Sequence, residues 1–174
     1  APVEPLAVSV PSAIVELRDG PSAEELSRET QVVVLGTGTP IPDARRAGPS
    51  IAVIHKGEAY LFDVGAGAVR NAAVARYRYD IPSLYPTQIC CLFLTHLHND
   101  HTQDLSELAT SMWWRRERPL RAWGPPGLVT LAAGINQMMA PDLAIRLSGT
   151  QPVEHPDGYR IEPTEIEPGV VFTK

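Results

Sequence analysis

The sequence predicts an α+β fold, a mixed sheet flanked by helices, and three observations carry that prediction. Short β-branched runs separated by turn residues crowd the stretch from residue 31 to residue 63. After residue 66, segments with helical apolar spacing alternate with apolar runs of strand length. No internal repeat breaks the pattern, and 174 residues with 44% apolar content can bury one sizeable core.

The elements follow in chain order. Residues 1–20 carry Pro2, Pro5 and Pro11 among Val, Ile and Leu, which predicts an extended edge segment; Ser22-Ala23-Glu24-Glu25 has the form of a capping box for a short helix. Residues 1–30 are thus read as a leader and 31–174 as one domain. Residues 31–35 read as a buried strand, and 50–55 with 59–63 as a hairpin around Lys56-Gly57-Glu58. Helices are expected over 66–77, 103–116 and 128–139, the last placing Leu128, Leu131, Ile135 and Met138 or Met139 on one face. Strands are expected over 89–94 and 120–123, and the tail 158–172, with Ile161, Ile166, Val170 and Val171 between prolines, reads as short strands.

Chemistry concentrates in Leu94-Thr95-His96-Leu97-His98-Asn99-Asp100-His101, which packs three of the chain's five histidines and a carboxylate into six positions. The strand before it would aim His96 and His98 to one side, while Asp100 and His101 fall where the chain turns into a helix and can aim at a second point. Such an N/O donor set suits Zn²⁺ best, with Mn²⁺ or Fe²⁺ as alternatives, and two neighbouring points imply a bimetallic centre. Three histidines and an aspartate at this spacing have no ready role as packing residues.

At these residues the chain resembles the metallo-β-lactamase-fold hydrolases, whose signature is His-x-His-x-Asp-His. The resemblance extends to Phe62-Asp63-Val64-Gly65-Ala66-Gly67, similar to that family's strand ending in Asp-x-Gly, and to Ala122-Trp123-Gly124-Pro125-Pro126-Gly127 and Val34-Leu35-Gly36-Thr37-Gly38-Thr39-Pro40, which are similar to the ribonuclease Z and arylsulfatase-like branch. It implies an αββα sandwich of which residues 31–174 are the N-terminal half. It also implies metal ligands His96, His98, Asp100 and His101 for two zinc ions, with Asp100 also catalytic, orienting or deprotonating the nucleophile. The family's remaining ligands and general acid have no counterpart here: the one downstream histidine, His155, sits in the polar turn Glu154-His155-Pro156-Asp157-Gly158. A complementary C-terminal half or a homo-oligomer is therefore expected, with an incomplete metal site in this chain alone.

Asp63 is expected to accept a hydrogen bond from the second ring nitrogen of a metal-ligating histidine, the alternative being a cap on the following helix. Arg45 and Arg46, on the loop after Gly36-Thr37-Gly38, are the candidates for substrate contacts, since guanidinium groups pair with phosphate or carboxylate. That loop resembles one near the substrate in ribonuclease Z, with Ala47 where the family has asparagine. A dinucleotide reading of Gly36 and Gly38 fails at Pro40-Ile41-Pro42, which would block a helix N-terminus from meeting a pyrophosphate. Trp113-Trp114-Arg115-Arg116-Glu117-Arg118 reads as packing at a helix end, with base stacking as the rival.

A net charge of −5 argues against whole-surface attraction to nucleic acid and leaves room for a local basic patch. No apolar run approaches the ~20 residues that span a bilayer, so no membrane partner is expected. Adjacent Cys90 and Cys91 are expected as buried free thiols, because neighbours on a strand face opposite ways. The start at Ala1 suits a mature exported chain or an arbitrary boundary, so localisation is left open, with export favoured over the cytoplasm. The function expected is a metal-dependent hydrolase of phosphodiester or ester bonds in a nucleic-acid or small-molecule substrate. A lactone, β-lactam or aryl sulfate substrate is the alternative on the same centre, and an inert fragment or binding module the alternative of another class.

Overall fold

Lys56 and Gly57 reverse the chain with φ of 50° and 78°, the paired left-handed conformation that matches the twist of a two-residue hairpin and that glycine adopts at little cost. The turn joins β2 (Ser50–His55) to β3 (Glu58–Phe62), antiparallel, and β1 (Gln31–Gly36) pairs with β2 on the far side. This arrangement comes from a computed structural model, which describes residues 30–150 and 152–173. The leader segment and its capping box lie outside the described residues.

Beyond β3 the strands run parallel, each joined by a crossover. Helix α1 (Ala68–Tyr79) leads to β4 (Cys91–Phe93); the short α2 (Asn99–Thr102) and α3 (Leu105–Thr110) lead to β5 (Leu120–Gly124). Helices α4 (Leu128–Met138) and α5 (Ala140–Ser148) lead to β6 (Ile161–Glu165). The six strands lie in sequence order, β1-β2-β3-β4-β5-β6, so the chain has an α+β fold built on one mixed sheet.

Register sorts the sheet into two unlike faces. The row Val33, Ala52, Leu61, Leu92 and Ala122 lies against the helices, and its last four members are fully buried with Ala68, Ala72, Leu105, Leu108 and Leu128. One residue along, the row Val34, Ile51, Phe62, Phe93 and Trp123 points the other way. Its aromatic rings stack at 5.2 Å and 5.0 Å, and Phe172 of the tail leans on Phe93 and Trp123. Val34 is nevertheless 58% exposed and Phe62 39%, so this face is apolar and largely open.

Several expectations need correction. The first strand is not buried: it is the sheet's edge and alternates, with Val32 and Val34 outward. The helix expected over 103–116 is broken, because Met112 adopts φ 50° and residues after it form a 3-10 turn, Trp113–Arg115. In an unbroken helix Leu108 O would accept from the amide four residues on; here it accepts from the Arg116 side chain at 2.6 Å. Helix α5 was not anticipated; Pro141 stands in its first turn, where proline's missing N–H is harmless. The tail forms one strand rather than several. Cys90 and Cys91 are joined to each other rather than free, β4 beginning only at Cys91 so that no strand pleat holds the two side chains apart. No single helix among the described residues is long and apolar enough to cross a membrane.

Candidate metal centre

The histidine run leaves the C-terminal end of β4, where a parallel strand hands its chain to a helix. Leu94 is held by its N–H to Trp123 O at 2.8 Å, and from Thr95 onward the chain is free of the sheet until α2 begins at Asn99. His98 is extended and immediately precedes that helix. The His96 ring lies 4.7 Å from that of His98 and 4.1 Å from that of His101, centroid to centroid, so the three imidazoles form one cluster. Asp100 is buried beside it, its Oδ2 3.5 Å from His101 Nε2.

Asp63 organises the cluster. The residue after β3 takes a left-handed φ of 57°, fixed by its N–H to Phe93 O at 2.9 Å and by the Ser50 hydroxyl donating to its own carbonyl at 2.9 Å. Its buried carboxylate accepts from the Thr95 N–H at 2.8 Å, from the Thr95 hydroxyl at 2.8 Å and from His101 Nδ1 at 2.8 Å. With Nδ1 donating, the Nε2 of His101 keeps its lone pair for an electrophile. Thr95 passes the arrangement on: its oxygen lies 3.0 Å from His96 Nδ1, so it can accept from that nitrogen while donating to Asp63, and His96 Nε2 is left free in the same way. The sequence reading missed Thr95; the one signal for it was a hydroxyl between the strand and the first histidine.

Asp63 does not cap the following helix. That work falls to Asp104, also overlooked, whose buried carboxylate accepts from Val69 N at 3.1 Å across the fold. Backbone bonds complete the mount: Val64 N to His101 O at 2.9 Å and Asp104 N to Val64 O at 3.0 Å tie the Asp63 loop to the helix carrying the histidine. Gly48 and Gly65 let the arginine loop press on this mount, since a Cβ on Gly65 would collide with Asp100 O and with the Gly48 backbone.

Arg45 and Arg46 themselves are exposed at the loop's tip. Arg45 turns back on Asp43, Nε to Oδ1 at 3.1 Å, and this hydrogen bond holds the Asp43 carboxyl below its ordinary value. Neither guanidinium joins the histidine cluster by any hydrogen bond or ion pair among the described residues. Trp113 is fully buried, donating Nε1 to Asp142 at 2.8 Å, and Arg146 lies 3.8 Å over the Trp114 ring, so both indoles serve packing. His155 lies in a turn, its carbonyl accepting from Gly158 N at 3.1 Å.

For divalent ions the donors fit in kind: two imidazoles with Nδ1 engaged and Nε2 open, a third imidazole at the rim, and a carboxylate beside them. Among the described residues, no three His, Cys, Asp or Glu side chains form a group able to hold one ion.

Comparison with known proteins adds the lineage. Residues 43–127 match the model of the Metallo-beta-lactamase superfamily. The chain is 35% identical over 146 residues to ribonuclease Z of Mycolicibacterium gilvum, covering 82% of this chain and 48% of that protein. It is 41% identical over 96 residues to ribonuclease Z of Thermococcus onnurineus, covering 55% of this chain and 29% of that protein. Among solved structures it is similar to the short form of human tRNase Z, with TM-score 0.55 and 28% identity over 80% of this chain and 45% of the other. The long form of RNase Z from yeast, TM-score 0.57 at 14% identity over 83% of this chain and 18% of the other, shares the fold. The chain spans about half the length of the curated relatives it matches first.

Proposed function

We propose that this chain, a member of the metallo-β-lactamase superfamily on its ribonuclease Z-like side, is the metal-binding half of a metal-dependent hydrolase acting on phosphodiester bonds of RNA. The observation that supports this most is the clustering of His96, His98 and His101, with Asp63 engaging His101 Nδ1 directly and His96 Nδ1 through Thr95, so that the Nε2 atoms of those two are left open. His96 and His98 would hold a first ion, Asp100 and His101 a second, with zinc the preferred metal and Mn²⁺ or Fe²⁺ the alternatives. Ions bound there would acidify a water and offset the negative charge that develops on the phosphoryl and leaving oxygens during attack. Asp100, buried against the cluster, would also orient or deprotonate the attacking water. Asp63 and Thr95 keep the imidazoles in the tautomer that binding requires. Arg46, and Arg45 once released from Asp43, would contact the substrate's anionic groups from the adjoining loop.

Further ligands and the proton donor to the leaving group come from a complementary half or from a second copy of the chain. The open apolar row from Val34 to Trp123 supports such a partner, because a contiguous apolar face of this kind drives association. The test is to purify the intact protein, load it with zinc, and compare turnover of bis(p-nitrophenyl)phosphate, an RNA oligomer, a lactone and a β-lactam. Metal-dependent cleavage of the two phosphodiesters is the expected result; turnover confined to the lactone or β-lactam would replace the substrate class, and none at all would return the protein to a binding role.

A further inference from the structure

The strands that carry the histidines at one end carry arginines at the other. Strands β3, β4 and β5 are parallel, so their N-terminal ends lie together, and Cys90 at that end is six residues from His96, on the order of 20 Å of extended chain. A cleft of about 390 Å³ opens there, lined by Arg116, Arg118 and Arg121. A second of about 640 Å³ shares Gln88, Cys90, Arg118 and Arg121 with it and runs on to Arg76, Tyr77 and Tyr85, so the two form one groove.

The groove is cationic within an anionic chain. Four guanidiniums line it against the carboxylates of Glu58, Glu117 and Glu162, while the whole chain carries −5. Among the described residues, Arg76, Arg118 and Arg121 make no ion pair. Arg76 stands 4.4 Å over the Tyr77 ring and 5.8 Å over Tyr85, and Arg121 stands 5.4 Å over Trp123. Tyr77 itself is 71% exposed. Beneath them Arg116 is buried, and among the described residues its charge is met by backbone carbonyls and by no carboxylate.

We propose that this groove is a second contact surface for single-stranded RNA, in which Arg76, Arg118 and Arg121 hold phosphates along the strand and Tyr77 stacks against a base. The inference rests on the phosphodiester reading above and extends it to a surface remote from the metal centre. Phosphate-tracking cations interleaved with aromatic faces are the chemistry that holds a flexible polyanion irrespective of sequence. The cations are spread over a helix end, a loop and a strand, across two joined clefts. A lone phosphate needs donors converging on one point; a strand needs them spaced.

Binding of a fluorescein-labelled single-stranded RNA oligomer to the intact protein, measured by anisotropy with chelator present, tests this without reference to cleavage. Arg118→Ala with Arg121→Ala should weaken binding at least about 10-fold near 0.1 M salt. It should also flatten the dependence of log affinity on log salt by roughly 1.4, two phosphate contacts' worth for a single strand. Arg118→Ala alone, an exposed side chain without a partner, should give half that change in slope and guards against misfolding. Zinc content and bis(p-nitrophenyl)phosphate turnover should match the unmodified protein, since that small ester cannot reach from one end of the sheet to the other. Unchanged RNA affinity and salt slope in both variants would overturn the proposal. So would displacement of the RNA by polyglutamate or by anionic phospholipid vesicles at equal charge, which would make the groove a generic polyanion or membrane surface. If the unmodified protein turns over no ester, the hydrolase reading fails while the binding comparison still stands.

Discussion

At one end of β4 a single buried carboxylate gathers three donors; at the other a single buried guanidinium gathers three acceptors. Asp63 accepts from Thr95 N, Thr95 Oγ1 and His101 Nδ1. Arg116 donates to Pro86 O at 2.6 Å, Ile89 O at 2.9 Å and Leu108 O at 2.6 Å, and its Nε has no partner among the described residues. The two hubs share a geometry and differ in where they point. The partners of Asp63 have second atoms facing outward, so its hydrogen bonds prepare side chains for a ligand. The partners of Arg116 are backbone carbonyls, so its bonds end in the fold itself. Burial pushes the Arg116 pKa down to about 10, which still leaves it charged at neutral pH. A buried charge is thus a functional signal only when what it holds has a free end.

The comparison breaks most visibly at the ligands. Replacing His96 and His98 together by alanine should abolish both bound zinc and hydrolysis in the intact protein, since on the proposed reading each would supply a direct bond. Full zinc occupancy in the double variant, by elemental analysis, would remove the metal centre from this end of the strand.

Arg116→Met should act on the fold alone. Three carbonyls lose their donor, and a loss of about 3 kcal/mol in unfolding free energy is expected from urea titration, with zinc content per folded molecule unchanged. If zinc falls and stability does not, the two hubs have been assigned the wrong way round.

Asp63→Asn should do the reverse: a 10 to 100-fold weaker zinc affinity, roughly the scale for a residue that orients a ligand, with only a modest change in stability. Thr95→Val, which keeps the shape and removes the hydroxyl between Asp63 and His96, should weaken zinc affinity about 10-fold. Competition with a chromogenic chelator reads both variants. A Thr95→Val protein indistinguishable from the parent would confine the role of Asp63 to His101.

The smallest effect belongs to an exposed pair. Arg45 lowers the Asp43 pKa through its hydrogen bond, so Arg45→Ala should move that pKa up toward the ordinary carboxylate range, as followed by NMR titration. Sign and solvent exposure agree: the ionised Asp43 gains from Arg45 only above its own pKa, and an exposed pair contributes little to folding. A loss of fold in this variant would show that the loop is held by its tip rather than by Gly48 and Gly65.

Local chemistry was legible wherever the determinants are neighbours in sequence. Lys56-Gly57-Glu58 announces its hairpin because the central residues alone decide whether the backbone can turn, although the structure closes the turn in Lys56 and Gly57 and gives Glu58 to the strand. The run from Thr95 to His101 announces a cluster of imidazoles because they sit within a few residues of one another, and the structure places the three rings in contact range. The break at Met112 was not legible: the apolar spacing of 103–116 continues across it, and the partners that favour the break, Pro86, Ile89 and Gly158, lie on other segments.

By itself, then, the sequence determined the α+β class, the hairpin and the clustering of the three imidazoles, all properties of residue type and short-range spacing. Tertiary structure alone decided that Asp63 serves histidines 33 and 38 positions away rather than a helix end, that Arg116 is buried, and that the row from Val34 to Trp123 is left open. The physical reason is common to all three. A side chain's role follows from which atoms meet it, and in this sheet those atoms come from strands whose register no local window of residues contains.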